Sequence, residues 1–149
     1  MRSVEAEALA LVLEAGVVSV ADVRAWADQY VVSEPLPDGR ILQLCTEATA
    51  ANAISLLHEL SEHKDKKLST VLVLRHLRSS WLKSSVSLRR AAGLLNRMVS
   101  LGYAPNEEAE RQMTWFAEDL ALIDVKEFTP ELETKIKGEF DGFLAKYSV

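Results

Sequence analysis

The chain reads as an all-α protein, a single globular bundle of about eight short-to-medium helices spanning residues 1–149. Three observations predict this. Apolar residues recur every three to four positions in segment after segment. Hydroxyl or acidic caps stand before those segments, and glycine stands after several of them. Nowhere do two alternating apolar–polar runs flank a tight turn, as a β-hairpin would need.

Ser3 to Ala15 predicts a first helix with Leu9, Val12 and Leu13 on one face, stopped by Gly16. Ser19-Val-Ala-Asp22 has the form of a capping box and opens a second helix through Val23, Trp26, Ala27 and Tyr30. That apolar face assigns Trp26 to the core and leaves Asp28 exposed or capping a neighbour. Pro35, Pro37 and Asp38-Gly39 form a loop before a short helix around Ile41–Cys45. Thr49 caps a helix running through Ala53, Ile54, Leu57 and Leu60.

Asp65 to about Lys83 predicts a long helix. Its Val71–Leu74 run has a strand's composition, but Leu68, Leu77, Trp81 and Leu82 extend it at helical spacing. Ser85 opens the next helix, with Leu88, Ala91, Ala92, Leu95 and Met98 inward and Gly102 as its stop. Pro105-Asn106-Glu107-Glu108 starts a seventh helix, its acidic residues placed where the helix dipole favours them. Thr129-Pro130-Glu131 opens the last, a cap followed by proline at the first helical position. Leu132, Ile136, Phe140, Phe143 and Leu144 form its apolar stripe.

Composition narrows the function classes. At 48 % apolar and 26 % charged residues, 149 residues suffice for one folded domain and exclude a disordered chain. Apolar runs such as Val71–Leu74 are too short to span a bilayer, so no membrane partner is expected. Met1-Arg2-Ser3-Val4 is followed by Glu5 and Glu7, which does not fit a secretory signal. Cys45 is the only cysteine, so no internal disulfide can form, and a reducing, cytoplasmic setting is expected. Oligomeric state leaves no trace in the sequence.

Charge is sorted into three bands. Residues 1–62 carry three Lys/Arg against ten Asp/Glu, a balance of −7. Residues 63–104 carry nine against Asp65 alone, a balance of +8, and residues 105–149 carry five against eleven, a balance of −6. The total of −5 therefore hides a strongly basic middle. Such asymmetry speaks to partners and association.

No catalytic constellation accompanies it, and no cofactor or metal is expected. His58-Glu59-Leu-Ser-Glu62-His63 resembles a zinc protease motif, but its histidines are five apart, not the four that stack two ligands on one helical face. Ser80-Trp-Leu-Lys83 matches the S-x-x-K pattern of serine acyl-transfer enzymes without its companion elements. The six glycines, at 16, 39, 93, 102, 138 and 142, are too scattered for a phosphate-cradling loop.

Two bands are candidate binding surfaces. The basic segment from Ser87 to Tyr103 resembles the recognition helix and turn of winged-helix DNA-binding proteins. Arg89, Arg90 and Arg97 would contact nucleic acid, and Gly93 would let a phosphate backbone approach. A wing, however, needs two strands after Tyr103, where a capped acidic helix begins instead. In the alternative, the basic helices pair with acidic neighbours and Gly93 marks a close helix crossing. The acidic stretch holds Glu107, Glu108, Glu110, Glu118, Asp119, Asp124 and Glu127, with Trp115 and Phe116 among them. It reads either as a solvated helix face paired with the basic band or as a face suited to a basic protein cleft with an aromatic anchor.

Two stretches resemble one group of small, all-helical bacterial proteins. The first is Ala8 to Asp28, a helix ending at Gly16 and then a capped helix with the triplet Trp26-Ala27-Asp28, continued by Pro35 to Leu60. The second comprises Trp115-Phe-Ala-Glu118-Asp119-Leu-Ala-Leu-Ile and Phe143-Leu144-Ala-Lys-Tyr147. Members of this group look like immunity proteins of toxin–immunity systems. The resemblance thus implies a non-catalytic protein that binds and neutralises a cognate bacterial toxin domain. The alternative is a winged-helix-like nucleic-acid-binding regulator using the basic band. An enzyme ranks third, since no nucleophile–base pair or metal set can be assembled.

Overall fold

A computed structural model describes residues 2–62, 64–125 and 130–149, and their side chains outside residues 120–130. Among the described residues there are eight α-helices and no strands. They are α1 (Arg2–Glu14), α2 (Val20–Ser33), α3 (Gly39–Leu44), α4 (Ala50–Leu60), α5 (Lys66–Leu82), α6 (Leu88–Leu101), α7 (Glu107–Val125) and α8 (Pro130–Tyr147). The helices gather into two compact units, α1–α4 in Met1–Asp65 and α5–α8 in Lys66–Val149. That division falls where the acidic first band meets the basic one.

In the first unit, α1 packs on α4 and α2 on α3. α1 is buried along almost its whole length, from Val4 through Leu13 with Glu5 half-exposed, rather than on the single face that Leu9, Val12 and Leu13 suggest. Its Ala6, Ala8 and Ala10 let neighbours approach on the remaining faces. The capping box forms as expected: the Asp22 N–H donates to Ser19 Oγ at 3.2 Å, and the Ser19 N–H donates to Asp22 Oδ2 at 2.8 Å. Thr49 caps α4 through the Asn52 N–H.

Trp26 departs from its core assignment. It is half-buried, with its ring edge-on to Tyr30 at 5.1 Å. Its indole N–H donates to Glu5 Oε2 at 3.3 Å, and the Tyr30 hydroxyl donates to the same carboxylate. An indole N–H and a phenol both need acceptors, which holds the pair at the boundary where a carboxylate remains hydrated. Burial and the Glu5 carboxylate push the Tyr30 hydroxyl pKa up. Asp28 is exposed and accepts the Cys45 thiol, and burial together with this bond pushes that thiol up to about 11.

A second polar group ties the helix ends. Asp38 caps α3 by accepting the Arg40 N–H at 2.8 Å, and its carboxylate receives Arg40 Nη2 at 2.8 Å and Nε at 3.0 Å. Arg40 continues to the Glu59 carbonyl at 2.7 Å and to Glu62 at 2.8 Å. Arg2 reaches Asp38 at 3.8 Å and Glu34 at 3.4 Å. The Arg40 hydrogen bonds hold the Asp38 carboxyl down to about 2. These pairs are partly exposed, so water screens them and they position the helix ends more than they stabilise the fold.

In the second unit α6 packs on α7, α5 on α8, and α7 on α8. Lys66 stands in the first turn of α5, where its own helix dipole opposes a cation. It donates instead to the Leu101 carbonyl at 3.2 Å, at the C-terminal end of α6, and lies over the Tyr103 ring. Asn106 caps α7 through the Ala109 N–H at 2.8 Å. The expected cap of α8, Thr129, lies outside the described residues.

Three helices end in the same Schellman arrangement. After α1, the Val17 N–H bonds the Val12 carbonyl and the Gly16 N–H bonds Leu13, with Gly16 at φ 74°. After α6, Tyr103 bonds Met98 and Gly102 bonds Val99, with Gly102 at φ 82°. After α5, Ser85 bonds Ser80 and Ser84 bonds Trp81, but here the left-handed position, φ 55°, is held by Ser84. This also corrects the start of α6. Ser85 is drawn back to α5, its hydroxyl donating to the Ser80 carbonyl at 3.0 Å, and Ser87 becomes the cap by accepting the Arg90 N–H at 3.1 Å.

Left-handed backbone costs a side-chain-bearing residue about 1–2 kcal/mol, against about 0.5–1 kcal/mol of extra chain entropy for glycine. Ser84→Gly is therefore expected to raise stability by about 0.5 kcal/mol in urea unfolding. An unchanged or lowered midpoint would mean that Ser84 carries no strain. The depressed Asp38 carboxyl contributes stability that is complete above about pH 4 and lost as pH falls toward about 2. Asp38→Asn should flatten that acid loss without altering the slope between about pH 5 and 7; identical acid limbs would refute the assignment.

Candidate functional site

α7 carries the most distinctive surface. Its buried stripe is Ala109, Met113 and Phe116, with Phe116 only 4 % exposed. Phe116 meets Phe140 edge-on at 5.3 Å and Phe143 at 5.7 Å, and Phe140 meets Trp81 of α5 at 4.7 Å. This aromatic cluster fixes the rotation of α7 about its axis. Trp115, one residue earlier, is consequently turned outward and is 58 % exposed.

Two grooves meet at the Trp115 ring. The first, about 430 Å³, runs along α7 and is lined by Glu107, Glu110, Arg111, Thr114, Trp115 and Glu118. The second, about 260 Å³, lies between α7 and α8 and is lined by Gln112, Trp115, Phe116, Asp119 and Glu139. Gln112 Oε1 is buried, with no hydrogen-bond partner among the described residues.

The structure thus brings Glu107, Trp115 and Glu118 to one groove and Trp115 and Asp119 to the other. Glu108 is exposed but lines neither, and the side chain of Asp124 lies outside the described part. Arg111, Gln112, Thr114 and Glu139 were missed in the sequence. The first three sit one turn or less from Trp115 and are legible by helical spacing. Glu139 arrives only through the packing of α8 on α7.

The basic candidates share a different face. Arg89, Arg90, Gly93 and Arg97 are all exposed on α6. Among the described residues, no atom beyond the adjacent backbone of α6 lies within 4 Å of where a Gly93 Cβ would stand, so this glycine does not mark a close helix crossing. Lys66 and Arg75 donate to the Leu101 and Ser148 carbonyls. Among the described residues no strand follows Tyr103. α7 occupies the place of a wing.

The remaining motifs assemble nothing further. His58 is exposed at the end of α4, and His63 lies outside the described residues. Ser80 is 8 % exposed, and Lys83 is in the turn beyond α5. Among the described residues no three His, Cys, Asp or Glu side chains are placed to hold a metal ion, and no helix is long and apolar enough to cross a membrane. Compared with protein-family models, curated proteins and solved structures, the chain matches none.

If Trp115 serves recognition and Phe116 serves packing, the two adjacent rings should separate cleanly. Trp115→Ala should change unfolding free energy by no more than about 0.5 kcal/mol. Phe116→Ala should cost about 3–5 kcal/mol. Comparable losses in thermal and chemical melts would deny Trp115 its surface role.

Proposed function

We propose that this chain is a non-catalytic binding protein that docks through the outer face of α7 on a basic surface of another protein. Exposure of Trp115 among carboxylates is the observation that carries this reading. A tryptophan that the aromatic cluster holds outward exposes apolar area to water, and tryptophans ringed by polar groups are typical anchors of interfaces. The carboxylates of Glu107, Glu110, Glu118 and Asp119 would steer a basic partner and raise the rate of encounter.

The resemblance of the helix pattern makes the partner a bacterial toxin domain and this chain its immunity protein, acting in the cytoplasm by covering the toxin's active site or substrate surface. A nuclease toxin suits the charge, because its substrate groove must attract phosphates. A nucleic-acid-binding regulator is the second reading, favoured by the exposed arginines of α6 and the open backbone at Gly93.

One experiment weighs both. The tagged protein is purified from its native organism at low and moderate salt, and the eluate is read by mass spectrometry and by its 260/280 nm absorbance ratio. A stoichiometric protein whose toxic activity the chain suppresses supports the inhibitor. That partner should associate at least about tenfold more slowly with the Glu118→Lys/Asp119→Lys variant, with a weaker salt dependence and unchanged thermal stability. Unaltered association would remove α7 from the interface. Nucleic acid released by moderate salt, and absent with an Arg90→Ala/Arg97→Ala variant, would favour the regulator.

A further inference from the structure

The groove between α7 and α8 has a chemistry more specific than negative charge. One wall is the exposed Trp115 ring, and another is Phe116, immobilised by Phe140 and Phe143. Carboxylates stand on both helices, Asp119 on α7 and Glu139 on α8. Gln112 also lines this groove, and its side-chain carbonyl oxygen is buried with no donor among the described residues. A buried acceptor left without a donor is unfavourable, so a ligand supplying N–H groups gains more there than at an ordinary acidic surface.

We propose that this socket receives an arginine side chain presented by the partner protein. The inference rests on the docking reading above and specifies its central contact. A guanidinium is planar and stacks on an indole face. It spreads five N–H donors around its edge, so one group can serve Gln112, Asp119 and Glu139 together. A lysine ammonium is a compact, strongly hydrated point charge that cannot stack in this way. The fixed Phe116 wall pre-forms the socket, which lowers the ordering cost of binding.

The test uses three acetylated glycine–serine peptides that differ at one position: arginine, lysine, or citrulline, the neutral counterpart of arginine. Each is titrated into the full chain at low salt while the Trp115 indole resonance, assigned by its loss in Trp115→Phe, is followed by NMR. Saturable shifts are expected with the arginine peptide, about tenfold weaker binding with lysine, and none with citrulline. Gln112→Ala should weaken arginine binding about fivefold and leave lysine binding unchanged, while Gln112→Glu should strengthen arginine binding. Melting curves show whether each variant is folded. Equal, salt-sensitive binding of arginine and lysine peptides would overturn the socket yet leave docking on a basic surface standing. Silence of Trp115 toward all three would overturn both.

Discussion

The outer face of α7 depends on the commitment of Phe116 to the interior. Its ring sits in an edge-to-face cluster with Phe140 and Phe143, and Phe140 continues to Trp81. Such rings add directional contacts to ordinary apolar burial, so the cluster sets the rotation of α7 as well as its position. Consecutive helical residues are about 100° apart, and Trp115 therefore has no inward option once Phe116 is seated. The grooves on its two sides, and the carboxylates along them, inherit their placement from this one constraint.

The first unit is organised differently, around shared carboxylates. Glu5 on α1 accepts from both Trp26 and Tyr30 of α2, and Asp38 accepts from the side chain and backbone of Arg40 while Arg2 stands nearby. The Trp26-Ala27-Asp28 triplet thus has a structural function at each position. Trp26 joins α2 to α1, Ala27 is fully buried, and Asp28 receives the Cys45 thiol just beyond α3. A triplet placed for such reasons reports a way of packing and not a surface for recognition.

Local grammar was legible because its causes are local. The Ser19–Asp22 box, the Thr49 cap and the glycines at 16 and 102 act through hydrogen bonds within a few residues, and the backbone adopts what those residue types permit. The grammar misled where two local signals competed. Ser85 and Ser87 are both good caps, and the left-handed turn at Ser84 decided between them by returning Ser85 to α5. Ser84 itself gave no sign, since serine is not the residue that such a turn prefers.

What the sequence determined alone was the helical class, the approximate place of each helix, and the sorting of charge into three bands, all consequences of spacing and composition. Tertiary packing decided the rest. It placed Trp26 at a polar boundary, left Gly93 in open space, and brought Glu139 of α8 to the groove that Asp119 of α7 lines. Helical periodicity states which residues share a face but not which face a neighbouring helix covers. That choice is made by long-range burial, which here took Phe116 and left Trp115 to the solvent.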